Sequence, residues 1–133
     1  MIWRKSRPQI NMVDRKLTLV VGASENPSRY ANIATKRLLA FGHPVIAFGL
    51  KKGYIDKVAI TTEWPENKDI DTVTLYVGPK GQDALFEKVI ALRPNRVIFN
   101  PGTENEVFYQ KLEDAGISYL EACTLVLLSI GNY

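Results

Sequence analysis

A turn of small residues near the start of the chain has the residue types that hold a phosphate group. Gly22, Ala23 and Ser24 follow the apolar residues 17–21 and precede an amphipathic segment. A strand, a glycine-containing turn and a helix leave unpaired backbone N–H groups at the helix start, where the helix dipole favours an anion. The turn lacks the complete Gly-x-Gly-x-x-Gly pattern of dinucleotide-binding folds. We therefore predict a phosphate-binding turn that is not a standard NAD site.

Two lysines follow the second apolar segment, where they could bind another phosphate. The segment reads Gly49, Leu50, Lys51 and Lys52. NAD-binding domains usually place an acidic residue here, about 20 residues after the glycine-rich turn, to hold the ribose 2′-hydroxyl. Two ammonium groups instead suit a ribose phosphate, either the 2′-phosphate of NADP or the 3′-phosphate of coenzyme A (CoA). The lysine pair disfavours NAD as the ligand and leaves NADP and CoA as candidates. The alternative is that both lysines are solvated surface residues that bind no ligand.

Three further residues could take part in catalysis, but none has an obvious chemical partner. Cys123 could act as a thiolate or form a mixed disulfide with CoA, although a lone cysteine in an apolar segment is more often a core residue. Glu104 could be a base, or a first-turn acid that favours the helix dipole. His43 lies in a helix-to-strand turn at the opposite edge. One cysteine and one histidine are too few for a disulfide framework or a zinc site, so we predict no catalytic or metal-ligating residue.

The elements that position these residues alternate between strand and helix. Strands are predicted at residues 17–21, Val45–Phe48, Val58–Thr61, 72–77, 97–99 and 117–120, and helices at 28–41, through Leu85, Val89 and Leu92, after a capping box at 103–106, and at 124–130. Gly42 and Gly116 stand where C′ glycines end helices. The alternation implies βαβ crossovers. We therefore predict an α/β fold with a doubly wound, mostly parallel sheet and helices on both faces, in three layers.

The loops at the carboxyl ends of the strands are where such a sheet binds its ligand. These loops are predicted at residues 22–24, 49–53, 78–81, 100–102 and 121–123. Four of the five contain glycine, which short turns need for their own geometry. The repetition of glycine along one edge of the sheet favours a binding edge.

Composition and charge limit which classes of protein this chain can belong to. The 133-residue chain is 46% hydrophobic and has no apolar run near the roughly 18 residues of a membrane span, which predicts a soluble protein. A single cysteine, which excludes a disulfide framework, fits a reducing, cytoplasmic setting. The net charge is +3, but residues 1–16 carry +4 and the remainder carries −1, which disfavours nucleic-acid binding. We expect residues 1–15 to form a basic, flexible tail, or to precede a true start at Met12, and residues 16–133 to form the folded domain.

Two groups of motifs resemble a known family. The first comprises residues 20–24, Asn26-Pro27, Arg29-Tyr30 and the helix leading to residues 42–45, and the second comprises residues 100–106, 115–117 and 123–125. Together they are similar to the small stand-alone CoA-binding domains, which resemble the Rossmann-like nucleotide-binding domain of the succinyl-CoA synthetase α subunit. The resemblance covers about residues 16–133. The segment after Phe48 departs from it, because the family usually has a Val-Asn-Pro-like sequence there.

The resemblance implies a set of ligand-binding residues. The turn at residues 22–24 would cradle the pyrophosphate through backbone N–H groups and the Ser24 hydroxyl, and the Arg29 guanidinium would reach a phosphate. The loop at residues 77–79 would flank the adenine or ribose. The full predicted set is Gly22, Ala23, Ser24, Asn26, Arg29, Tyr30, Gly49, Leu50, Lys51, Lys52, Val77, Gly78, Pro79, Asn100 and Gly102.

The sequence favours a binding role over a reaction. Our leading hypothesis is a non-catalytic module that binds CoA or an acyl-CoA as a small-molecule nucleotide ligand, with no nucleic-acid or membrane partner. One alternative is an NADP-dependent oxidoreductase or a small acyl-CoA enzyme that uses Cys123. Another is an interaction protein with a vestigial nucleotide pocket. A homodimer is also open, because the apolar residues 125–130 could pack on a second subunit.

Overall fold

A computed structural model describes residues 15–133. In chain order its strands are β1 (Thr18–Val21), β2 (Val45–Phe48), β3 (Gly53–Ile55), β4 (Val58–Thr61), β5 (Thr72–Leu75), β6 (Arg96–Phe99) and β7 (Ser118–Glu121). Its helices are α1 (Tyr30–Ala40), α2 (Phe86–Leu92), α3 (Glu106–Asp114) and α4 (Thr124–Ser129). The strands form one sheet in the order β3-β4-β2-β1-β5-β6-β7. β3 runs antiparallel to β4, and the other neighbouring strands pair in parallel.

The central strand β1 explains why the sheet is covered on both faces. All four of its residues are buried, and successive side chains of a strand point to opposite faces. Leu19 and Val21 join a core cluster with residues of α2 and α3, whereas Val20 joins a second cluster with residues of α1 and α4. The two clusters lie on opposite faces, so the predicted three-layer, doubly wound α/β fold is confirmed.

The chain order of the strands places a crevice beside β1. The chain leaves β1 through α1 to reach β2 on one side, and it later returns to β5 on the other side of β1. In open α/β sheets, ligands bind outside the carboxyl ends of the strands where the strand order reverses in this way. Here that position lies between the ends of β1 and β5.

Helix ends follow the expected glycine chemistry. Gly42 has a φ of +89°, and the amides that follow α1 close a C-terminal cap in which the His43 N–H donates to the Leu38 carbonyl at 2.9 Å. Gly116, with a φ of +73°, ends α3 in the same way. A left-handed residue satisfies the last carbonyls of a helix, and glycine takes up that conformation without a Cβ penalty.

The capping box predicted at residues 103–106 is wrong. The N-cap of α3 is Asn105, whose side-chain oxygen accepts from the amides of Val107 and Phe108 at 3.1 and 3.3 Å. Thr103 instead donates its hydroxyl to the Asn100 carbonyl at 2.8 Å. Asparagine is as good an N-cap as threonine or better, so the helix begins two residues later than a Thr103 cap would give.

Two other differences concern short elements. The strand β3 was not predicted, because three residues that include a glycine carry no periodic signal and pair through a hairpin with β4. Leu85 lies in a 3₁₀ turn before α2, and not within the α-helix.

The tail expected over residues 1–15 lies outside the described residues except for Arg15, whose Nε donates to the Gly42 carbonyl at 3.1 Å. Within residues 15–133, no helix is both long and apolar enough to cross a bilayer.

Candidate functional site

A cleft of about 270 Å³ opens at the carboxyl edge of the sheet, where the strand order reverses. Its walls come from the end of β1, the start of α1 and the loops that follow β5 and β6. The lining residues are Gly22, Ser28, Arg29, Tyr30, Ala31, Tyr76, Gly78, Pro101, Gly102 and Thr103. Five of these belong to the set predicted from the sequence: Gly22, Arg29, Tyr30, Gly78 and Gly102.

Gly22 forms the floor of this cleft and must be glycine for two reasons. Its φ is +101°, which disfavours any residue with a Cβ atom. A Cβ atom there would also lie 3.2 Å from the backbone of Tyr76 and from the Val77 side chain. The residue therefore lets the end of β1 pass close to the end of β5.

The first two amides of the glycine turn are already paired. The N–H groups of Gly22 and Ala23 both donate to the Phe48 carbonyl, each at 2.9 Å. Across the described part of the chain, the Ser24 amide has no acceptor and its hydroxyl oxygen accepts from the Asn26 amide at 3.1 Å. The donors that this turn can offer an anion are therefore the Ser24 amide and hydroxyl.

The start of α1 supplies further donors, and these line the cleft directly. The N–H groups of Tyr30 and Ala31, the first two helical residues, have no acceptor within residues 15–133. Arg29 is the N-cap, its side chain is exposed, and it makes no side-chain capping bond. Unpaired amides, the positive end of an 11-residue helix and a guanidinium are the groups that suit an anion.

Two asparagines shape the loop between the turn and α1. Asn26 accepts from the amide and hydroxyl of Ser28 at 3.0 and 2.7 Å, which closes a local turn. Asn32 is 2% exposed and donates to the Ser24 carbonyl at 2.8 Å. Among the described residues its Oδ1 has no partner. Asn32 was not predicted as a site residue, since a single polar residue in a helical segment gives no signal of its own.

The end of β2 approaches the same turn from the other side. A Cβ atom on Gly49 would overlap the Ala23 carbonyl oxygen, so the two loops touch at this glycine. Leu50 is 96% exposed, and Lys51 and Lys52 are also exposed. These three residues lie at the predicted edge of the sheet, and they do not line the cleft.

The loops after β5 and β6 are joined by one buried glutamine. Gln82 has no exposed surface, and its amide nitrogen donates to the carbonyls of Val77 and Thr103, both at 2.8 Å. Its oxygen accepts from Asn105 at 3.0 Å. Each such bond contributes about 1 kcal/mol, and more is lost when a buried partner is left unpaired. Gln82 therefore fixes the spacing of the two loops that carry Gly78 and Gly102.

The side chain of Asn100 is used within the fold. It is 2% exposed and donates to the Thr74 hydroxyl at 2.7 Å and to the Leu75 carbonyl at 2.8 Å. Its oxygen accepts from the Thr124 amide at 2.9 Å. These bonds hold the ends of β5 and β6 against the start of α4, so the predicted ligand contact would have to come from the backbone of this loop.

Tyr76 lines the cleft and buries its hydroxyl. The hydroxyl has no hydrogen-bond partner in the described part of the chain. Burial raises the pKa of Tyr76 to about 12, because the phenolate would lose its hydration, while the nearby hydroxyls of Thr124 and Thr74 act in the opposite direction. This residue was not predicted, although it directly follows the strand that borders the cleft.

The three catalytic candidates occupy structural positions. Cys123 is half-buried at the N-cap of α4 and does not line the cleft. Glu104 accepts from the Gly102 amide at 2.9 Å, which stabilises the loop before α3. His43 is buried at the opposite edge, where its Nδ1 accepts from the Lys16 amide at 3.0 Å. Within residues 15–133, no group of acidic, histidine or cysteine side chains is placed to hold a metal ion.

A second, larger cleft lies at the amino edge of the sheet. Its volume is about 500 Å³, and it is lined by Arg15, Leu17, Pro44, Lys68, Asp69, Ile70, Asp71, Arg93 and Asn95. Asp71 in this cleft is bonded to the Thr72 hydroxyl at 2.6 Å and to Asn95 at 2.8 Å. The unpaired amides of a helix start are at the other edge, so size alone does not identify the binding site.

Comparisons with known proteins show what the whole domain is similar to. A family model described as a CoA binding domain matches residues 16–129. A crystal structure of an uncharacterized protein is 44% identical over 90% of this chain and 98% of its own, with a TM-score of 0.87. A hypothetical protein from Pyrococcus horikoshii OT3 is 28% identical over 92% of this chain and 87% of its own, with a TM-score of 0.76.

A more distant structure shares the fold alone. A protein from Thermus thermophilus is 20% identical over 96% of this chain and 98% of its own, with a TM-score of 0.80. No curated protein matches the chain.

Proposed function

The chain belongs to the family of CoA binding domains, and on that premise we propose that it is a non-catalytic module that binds CoA or an acyl-CoA at the carboxyl edge of its sheet. The observation that carries the proposal is the pair of unpaired amides on Tyr30 and Ala31 at the wall of the cleft. They would hold the pyrophosphate of the ligand, together with Arg29 and the Ser24 amide and hydroxyl.

The adenosine of the ligand would lie at the end of β2. A cleft of about 270 Å³ holds only part of a CoA molecule, so the remainder must extend along the rim. Lys51 and Lys52, which follow β2, are both exposed to solvent. In this arrangement they bind the 3′-phosphate, whereas the pantetheine arm passes between Gly78 and Gly102 toward the ring of Tyr76.

A binding role rather than a reaction is supported by the residues around the cleft. Cys123 is outside its wall, and the Glu104 carboxylate is bonded to a backbone amide. General acid–base catalysis needs a titratable group within hydrogen-bond reach of the reacting atoms. A cytoplasmic setting remains part of the same proposal. So does a homodimer that uses residues 125–130, since Val126 and Ile130 are 52% and 59% exposed.

Isothermal calorimetry with CoA, dephospho-CoA and NADP tests the proposal. We expect CoA to bind more tightly than dephospho-CoA, which lacks the 3′-phosphate. Replacement of both Lys51 and Lys52 by alanine should weaken CoA binding at least about tenfold, or about 1.4 kcal/mol, and leave dephospho-CoA binding unchanged. The matched control is Lys36→Ala with Lys57→Ala, which removes two exposed lysines elsewhere.

Three outcomes would contradict parts of this proposal. Tight binding of NADP with no binding of CoA would support the oxidoreductase alternative. The absence of binding by any of the three ligands would support a vestigial pocket. Equal binding of CoA and dephospho-CoA would show that the lysine pair does not hold a 3′-phosphate.

A further inference from the structure

The carboxylate of Glu25 reaches from the glycine turn to the segment that carries the lysine pair. Its Oε2 accepts from the Tyr54 amide at 2.9 Å. A Cβ atom on Gly53 would overlap the Glu25 carboxyl group, so the absence of a side chain there lets the carboxylate lie against the backbone. Glu25 directly follows Ser24, and Gly53 directly follows Lys52. One acidic side chain therefore joins the proposed pyrophosphate site to the proposed 3′-phosphate site.

An acidic residue in this place has a known chemical use in related folds. Dinucleotide-binding domains hold a ribose hydroxyl with an acid at the end of the second strand. In this chain the end of β2 has lysines instead, and the acid arrives from the loop after β1. Across residues 15–133, Oε1 of Glu25, which lies beside Gly53, has no hydrogen-bond donor. Glu25 is exposed, so this oxygen is able to accept a ligand hydroxyl.

We propose that Glu25 is a specificity-determining residue that accepts a hydrogen bond from the ribose 2′-hydroxyl and rejects ligands with a phosphate at that position. A carboxylate stabilises a hydroxyl donor but repels a phosphate, and such a repulsive element is a general means of discrimination between similar ligands. The lysine pair alone would accept a phosphate at either position. The two features together select 3′-phosphorylated ligands of the CoA class over 2′-phosphorylated ligands of the NADP class. This inference rests on the proposed function.

Two isomeric probes isolate the effect. Adenosine 3′,5′-bisphosphate and adenosine 2′,5′-bisphosphate have the same charge and differ only in which ribose oxygen is phosphorylated. By calorimetry on the full chain, we expect the 3′,5′ isomer to bind at least about tenfold more tightly. Glu25→Gln keeps an oxygen for the Tyr54 amide and removes the negative charge. We expect this variant to bind the 2′,5′ isomer more tightly and to lose most of the preference.

Two further variants make the test specific. Glu87→Gln makes the same charge change on α2, away from the end of β2, and should leave the preference unchanged. Gly53→Ala keeps the charge of Glu25 but displaces the carboxylate, and it should also reduce the preference. If Glu25→Gln does not fold, Gly53→Ala still tests whether the position of the Glu25 carboxylate sets the preference.

The outcomes separate this inference from the proposed function. If wild type binds both isomers equally, or if Glu25→Gln and Gly53→Ala leave the ratio unchanged while CoA binding still depends on Lys51 and Lys52, the role of Glu25 is overturned and the CoA site stands. If neither bisphosphate nor CoA binds, both are overturned. A preference that falls in both variants and persists in Glu87→Gln supports the inference.

Discussion

At the scale of single residues, Tyr76 at the cleft buries a side-chain hydroxyl that the described part of the fold does not satisfy. The Tyr76 hydroxyl is buried without a hydrogen-bond partner in the described chain, and the pKa of this side chain is raised to about 12. A buried hydroxyl without a partner costs folding free energy, typically about 1–3 kcal/mol. Tyr76 lines the cleft, which fits a role in shaping the path of the proposed pantetheine arm.

The pKa of Tyr76 makes a prediction about alkaline stability. An unfolded tyrosine has a pKa of about 10, so the raised value in the folded state gives a stabilising contribution that is complete below about pH 10. This contribution is lost as the pH rises through about 12. We expect Tyr76→Phe to reduce the loss of stability between pH 8 and pH 11.5 by about 2 kcal/mol, as measured by urea unfolding at both pH values.

The same variant has a second expected result at pH 8. Phenylalanine keeps the ring and removes the unpaired hydroxyl, so the free energy of unfolding should be unchanged or higher by up to about 1 kcal/mol. Tyr109, Tyr119 and Tyr133 also have raised pKa values, and the comparison with wild type cancels their contribution. A variant that is clearly less stable at pH 8, with an unchanged alkaline loss, would show that the hydroxyl is hydrogen-bonded.

At the scale of elements, the site depends on the close approach of loops from neighbouring strands. The amides of Gly22 and Ala23 bond to the end of β2, and Gly49 lies against the Ala23 carbonyl. Gln82 joins the loops after β5 and β6. The spacing of the loops around the cleft is thus set by backbone contacts between strand ends and by the Gln82 side chain, and the helix start supplies the unpaired donors.

A matched pair of glycine substitutions tests this close approach. Gly49→Ala would place a Cβ atom on the Ala23 carbonyl oxygen, so we expect a loss of about 1–3 kcal/mol in the free energy of unfolding. Gly78→Ala has no heavy atom within 4 Å of the new Cβ atom, so its stability should stay within about 0.5 kcal/mol of wild type. Chemical denaturation measures both, and equal effects would contradict the argument.

The elements also show which parts of the structure could be predicted from sequence. The strands β2 and β4 were predicted at their observed bounds, because apolar runs between turn residues are a strong local signal. The glycine-containing turn after β1 and its place at the carboxyl edge of the sheet were predicted from the same kind of local signal. The pairing of the Gly22 and Ala23 amides with the Phe48 carbonyl was not predicted, since hydrogen bonds between strands distant in sequence leave no local pattern. The buried roles of Gln82 and Asn100 depend on the same long-range contacts.

At the scale of the whole molecule, the two edges of the sheet have different properties. The carboxyl edge combines the reversal of strand order, the positive end of α1 and exposed lysines after β2. The amino edge has the larger cleft, in which Asp71 is bonded to neighbouring side chains. A parallel sheet directs helix N-termini toward its carboxyl edge, which is the reason that we propose this edge for the anionic ligand.

The most direct test of the binding site is an NMR titration of the ¹⁵N-labelled protein with CoA. We predict that the largest amide shift changes occur at Tyr30 and Ala31, because their N–H groups are unpaired in the structure and would bond to the pyrophosphate. Gly78 and Gly102, on the opposite wall of the cleft, should shift next. Two results would contradict this binding site. One is that the largest changes occur at Ile70 and other residues of the amino-edge cleft, and the other is that no amide shift changes at saturating CoA.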